Sequence, residues 1–91
     1  MRLSQTATGK PGIVVADGVE YQSFEQHAQA VVDQFDMTVV RKIDGPGERM
    51  WLVKYEGHDL CVSWDDWFGE VTIMAWQDTP DELIEKLHKR A

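Results

Sequence analysis

The stretch Arg49-Met50-Trp51-Leu52-Val53-Lys54-Tyr55-Glu56-Gly57-His58-Asp59-Leu60-Cys61-Val62-Ser63-Trp64 decides the fold. Over Arg49–Glu56, Trp51, Val53 and Tyr55 alternate with Met50, Leu52 and Lys54. Over Asp59–Trp64, Leu60, Val62 and Trp64 alternate with Cys61 and Ser63. This is the period-two pattern of strands. Gly57 and His58 lie between the two runs and suit a tight turn, so the strands are predicted to be antiparallel neighbours.

The pattern extends in both directions. Met37–Asp44 reads as a strand joined to the hairpin by Gly45-Pro46-Gly47, where proline fixes φ and glycine tolerates positive φ. On the other side, Asp65-Asp66-Trp67-Phe68-Gly69 forms a loop before Glu70–Trp76, whose Val71, Ile73 and Ala75 alternate with Thr72, Met74 and Trp76. Links this short join only antiparallel neighbours, because parallel strands need a long crossover. Residues 37–76 are therefore predicted to form a four-stranded antiparallel meander.

Helical patterns flank the meander. Ser23-Phe24-Glu25-Gln26 has the form of a capping box, and Ala28, Val31, Val32 and Phe35 continue it as one apolar stripe, predicting a helix over Ser23–Phe35. Thr79-Pro80-Asp81-Glu82 forms a second box. Leu83, Ile84 and Leu87 supply its stripe, and Lys86, Lys89 and Arg90 suit the carboxyl end of a helix over Pro80–Lys89. Ile13-Val14-Val15-Ala16, Asp17-Gly18 and Val19-Glu20-Tyr21 read as a short extended segment or small hairpin, and residues 1–12 as a flexible N-terminal tail. The expected architecture is an α+β two-layer sandwich in one domain, residues 13–91, with both helices on one face of the sheet. The expected core is Phe24, Ala28, Val31, Val32, Phe35, Val39, Leu52, Leu60, Val62, Val71, Ile73, Leu83, Ile84 and Leu87.

Composition bounds the function. With 91 residues, 43% hydrophobic and 27% charged, the chain suits one small domain with little room for a deep cleft. One cysteine, Cys61, and three histidines fall short of a disulfide or a zinc-ligand set, so no metal and no cofactor are expected. No apolar run reaches the roughly eighteen residues of a membrane span, and residues 1–12 lack the apolar stretch of a signal peptide. The expectation is a cytoplasmic protein without membrane contact. Walker, dinucleotide, Gly-x-Ser-x-Gly and His-Glu-x-x-His motifs do not occur in the sequence.

Charge and aromatic residues are unevenly placed. The formal net charge is −7, yet residues 55–85 hold nine carboxylates (Glu56, Asp59, Asp65, Asp66, Glu70, Asp78, Asp81, Glu82 and Glu85) and no lysine or arginine. Such a surface opposes phosphate backbones, so nucleic acid is not an expected partner. All four tryptophans, Trp51, Trp64, Trp67 and Trp76, fall between residues 51 and 76 together with Tyr55 and Phe68, and the meander is apolar on both faces. The expected surface has Trp51, Tyr55 and Trp76 lining the open sheet face, Trp67 in its loop, and Asp65, Asp66 and Glu70 at its rim. Its chemistry is that of an interaction module taking a basic protein partner, or associating with itself. The alternative is a small enzyme with its site around His58, Asp59, Cys61 and Asp65, although Cys61 also reads as a small buried hydrophobe.

Overall fold

The computed structural model describes residues 1–5, 9–76 and 79–90. Along the chain come β1 (Arg2–Gln5), β2 (Pro11–Ala16), a 3-10 turn (Tyr21–Ser23), α1 (Phe24–Phe35) and β3 (Thr38–Gly45). These are followed by β4 (Glu48–Tyr55), β5 (His58–Asp65), β6 (Val71–Ala75) and α2 (Asp81–Arg90). The strands form one antiparallel sheet in the order β1-β2-β6-β5-β4-β3. The α+β class, the antiparallel meander and the two helices match expectation, and the sheet is two strands wider than the meander.

The extra width corrects the reading of the N-terminus. Arg2–Gln5 is no free tail: it pairs with β2 from Arg2–Val14 to Gln5–Pro11. On its other edge β2 meets β6, Ile13 lying opposite Ile73. The Ile13-Val14-Val15 run thus finds partners on both sides, and Val19–Tyr21 is not its hairpin mate but leads into the 3-10 turn. Residues 2–5, with Leu3 their one apolar side chain, escaped the periodicity reading because an edge strand is held by its backbone ladder and needs few apolar side chains. The expectations for residues 6–8 and 78 lie outside the described residues.

Both predicted capping boxes work differently. The 3-10 turn brings Ser23 into α1 already in the right-handed helical region, and its hydroxyl makes no cap bond. Thr79 turns its hydroxyl to the carbonyls of Asp59 (2.5 Å) and Trp76 (2.8 Å), tying the entry of α2 to the sheet. The β4–β5 turn is Glu56-Gly57, with φ of 49° and 80°, and His58 lies within the strand. Positive φ at both central residues matches the right-handed twist of the strands.

Arg49, Trp51, Val53 and Tyr55 on β4 and Leu60, Val62 and Trp64 on β5 all face the helices. From α1, Phe24 meets Trp51 edge-on at 5.9 Å and Phe35 meets Tyr55 at 6.5 Å. Leu83, Ile84 and Leu87 of α2 close the same core over β2 and β6. Leu52, expected in this core, is half-buried on the opposite face, because strand alternation cannot bury it together with Trp51 and Val53. Val39 packs at the core's margin.

Two polar anchors fix the helix layer at one end. The Trp64 indole donates to the Val19 carbonyl at 2.7 Å. The buried Arg49 guanidinium donates from Nε to Asp44 (2.7 Å), from one terminal nitrogen to the Tyr21 carbonyl (3.1 Å) and from the other to Glu25 (3.3 Å). It also lies over the rings of Tyr21 and Phe24. This hydrogen bonding holds the Asp44 carboxyl below its ordinary value. No helix among the described residues is long and apolar enough to cross a membrane.

Two stability measurements check this packing. Leu87 is fully buried, so Leu87→Ala should cost about 2–5 kcal/mol through lost burial and a residual cavity, measured by urea denaturation. Asp36 closes α1 in the left-handed region (φ 57°), with the Met37 amide donating back to Val32 at 2.9 Å. A non-glycine residue there is strained, and its carboxylate lies at the negative end of the helix dipole. Asp36→Gly should stabilise the fold by about 1 kcal/mol and raise the melting temperature by roughly 4–8 °C. An unchanged melting temperature would contradict the left-handed cap.

Candidate functional site

Among the described residues no helix covers the other sheet face, which carries a cleft of about 510 Å³ at the end bearing the β3–β4 turn and the β5–β6 loop. Val14, Ile43, Met50 and Met74 give it apolar walls, while Ser63 and Thr72 contribute hydroxyls. Glu48, Asp65, Phe68 and Glu70 also line it. A volume of this order is characteristic of ligand and side-chain pockets.

The loop beside the cleft is held by its own backbone. The Asp65 carboxylate accepts from the Phe68 amide at 2.9 Å, and the Asp65 carbonyl accepts from the Gly69 amide at 3.0 Å. The Gly69 carbonyl accepts from Val19, and the Asp66 amide donates to Gly47 across the neighbouring turn, both at 2.9 Å. Gly47 has φ 75°, a left-handed backbone conformation that glycine adopts without strain. This tight frame leaves two aromatic side chains in water: Trp67 is 84% exposed and Phe68 68% exposed.

The expected site residues divide between the two faces. Asp65, Asp66, Trp67 and Glu70 do gather at this end. Arg2 bridges Glu70 (2.7 Å) and Asp17 (3.2 Å), so the Glu70 charge is partly answered. Trp51 and Tyr55 do not line the open face. Each is 1% exposed beneath α1, because the alternation of β4 turns both toward the helices. Trp51 lies under Lys42 Nζ at 4.2 Å from its ring, and the Tyr55 hydroxyl accepts from Arg90. Trp76 is half-buried beyond the end of β6, its carbonyl held by Thr79.

His58, Asp59, Cys61 and Asp65 do not converge. His58 and Asp65 mark opposite ends of β5, separated by about 23 Å at strand rise. Asp59 is paired with Lys54 at 2.8 Å, and Cys61 is fully buried between its strand neighbours Leu52 and Met74. Among the described residues, no three His, Cys, Asp or Glu side chains form a group able to hold a metal ion.

Phe68 and the cleft walls are absent from the sequence-based site. The signal for Phe68 was local: two adjacent aromatic residues inside a five-residue acidic turn have no strand or helix period to bury them. The lining comes from all six strands, and its convergence depends on the neighbour order of the sheet.

The fold and surface thus define a small α+β domain with a helix-covered sheet face and an open face ending in an acidic–aromatic loop. The chain belongs to the family described as "Protein of unknown function (DUF3630)", whose model matches residues 1–88. No curated protein and no solved structure matches the chain.

Burial pushes the Cys61 thiol up to about 12, which leaves it protonated and unreactive at pH 8. Iodoacetamide at pH 8 should therefore leave the native protein unmodified over the time in which the urea-unfolded chain is fully alkylated, as read by mass spectrometry. Alkylation of the native state at a comparable rate would show that the centre of the open face admits solvent.

Proposed function

We propose that this chain is a non-catalytic interaction module that binds a basic protein partner at the acidic–aromatic end of its open sheet face. The observation that carries this reading is the exposure of Trp67 and Phe68 on a backbone-braced loop between Asp65, Asp66 and the cleft. Exposed aromatic residues on a rigid frame lose little conformational entropy on binding and offer large contact areas. The surrounding carboxylates favour lysine and arginine. Cation–π contact with the Trp67 indole contributes roughly 0.5–2 kcal/mol per well-placed cation. The chain's net charge of −7 speeds the approach of such a partner. An apolar side chain adjacent to the cation completes the fit by entering the cleft between Met50 and Met74.

A peptide-display selection on the wild-type chain, with the selected peptides then titrated on Trp67→Ala/Phe68→Ala, tests this reading. Both side chains are exposed, so the double variant should keep its fold. Selected peptides should be rich in lysine and arginine next to an aliphatic or aromatic residue. Their affinity should fall at least tenfold on the double variant, equivalent to about 1.4 kcal/mol. It should weaken with added salt without vanishing, since screening acts on the rim charges and leaves the apolar contact intact. Acidic or charge-indifferent peptides, or equal binding to the double variant, would overturn the proposal.

A further inference from the structure

We propose that two copies of this chain associate through the outer edge of β3, antiparallel about Ile43, so that both sheets become one. This inference uses a sheet edge and not the acidic–aromatic loop; Ile43 is also a wall of the cleft, and the test below reads the mass of the chain, not peptide binding.

The sheet ends in two edge strands, β1 with four residues and β3 with eight. A long edge strand presents unpaired amides and carbonyls to another strand, and a short one offers little. Along β3 the usable stretch is bounded on both sides. At one end the pairing with β4 skips from Val39 to Arg41, leaving Val40 as a bulge; at the other stands Pro46, which has no amide proton. Between these limits lie Arg41–Gly45, and the midpoint of that stretch is Ile43.

Hydrogen-bond parity and charge then select the register. The two-residue turn closes on the Gly45–Glu48 pair, from which bonded and open pairs alternate along the hairpin. Arg41, Ile43 and Gly45 therefore turn their backbone groups toward β4, while Lys42 and Asp44 turn theirs outward. Two copies can bond through these outward groups only if the two-fold axis passes through a residue. An axis at Arg41, Lys42 or Asp44 sets like charges directly opposite one another, which destabilises a pair. An axis at Ile43 instead places Lys42 opposite Asp44 of the second copy, twice, and Ile43 against its own counterpart.

The side chains suit this arrangement. Ile43 is 40% exposed on the open face, the one apolar side chain between Arg41 and Gly45. Lys42 stands over the Trp51 ring, on the same face as Asp44. Asp44 already accepts from Arg49, but a carboxylate has acceptor capacity for a second cation. With Arg41 and Lys42 against one carboxylate, the stretch is locally positive, so the chain's overall negative charge is not concentrated where the copies meet. Five residues a side make a small interface, and the dimer is accordingly a weak one.

Sedimentation velocity on the wild-type chain from about 10 μM to about 1 mM, the range of weak association, should show the mass rising from one chain toward two. Ile43→Lys, at an exposed position, should keep its circular dichroism spectrum and remain a single chain throughout. With oxidised glutathione, Ile43→Cys should form a disulfide-linked dimer at least tenfold faster than Val40→Cys, although Val40 is the more exposed at 59%. The native Cys61, being buried, does not compete. A single-chain mass at every concentration would overturn the inference. So would dimerisation of Ile43→Lys equal to wild type, or equal cross-linking at positions 40 and 43.

Discussion

Eight consecutive residue pairs, from Glu48–Asp65 to Tyr55–His58, lock β4 to β5, and the rest of the molecule follows from that register. A slip by one residue would carry Trp51, Val53 and Tyr55, or Leu60, Val62 and Trp64, from the helix side to water. The Glu56-Gly57 turn sets the alignment locally, and burial of six large side chains on one face enforces it. Once that face is fixed, α1 has one surface on which its stripe can dock, and α2 completes the same core from the β2–β6 side.

Much of this was legible in the sequence because the relevant signals are local. Alternation around Trp51 and Leu60 named the strands, short turn-rich links named their antiparallel order, and Val31, Val32 and Leu87 named the buried helix stripes. Which face of β4 the helices cover was not legible. Met50 and Leu52 are as apolar as Val53, and the choice is made by the size of Trp51 and Tyr55 together with Phe24 and Phe35 above them. The expected aromatic patch failed for that reason, while its loop portion, Asp65, Asp66 and Trp67, lies where expected because a turn has no face to invert. Residues 2–5 concealed a strand since their partner's other neighbour lies at the far end of the chain.

Charged side chains are divided by what they already hold. Arg49 joins β4 to the 3-10 turn and α1, and Arg2 joins β1 to Asp17 and Glu70. Lys86 and Arg90 of α2 lie 3.9 Å from Glu56 at the opposite end of the sheet. Exposed pairs of this kind add little to stability. Their effect is on the surface field: several of the basic residues are answered within the molecule, whereas no ion pair to Asp65 or Asp66 is seen among the described residues. Asp65 and Asp66 thus keep their charge beside the exposed Trp67 and Phe68.

The pairing of Ile13 with Ile73 has a consequence in time. β2 leaves the ribosome before the strand it joins, which is made sixty residues later. Closing so long a loop is slow relative to forming the hairpins of the meander, which need only adjacent segments. During synthesis the apolar run Ile13-Val14-Val15 must wait beside a growing, partly folded sheet whose final strand does not yet exist. A chain interrupted before β6 would present that run without its partner, a β-branched segment of the kind that pairs with other copies when left exposed. Completion of β6 is thus what retires the aggregation hazard built into β2.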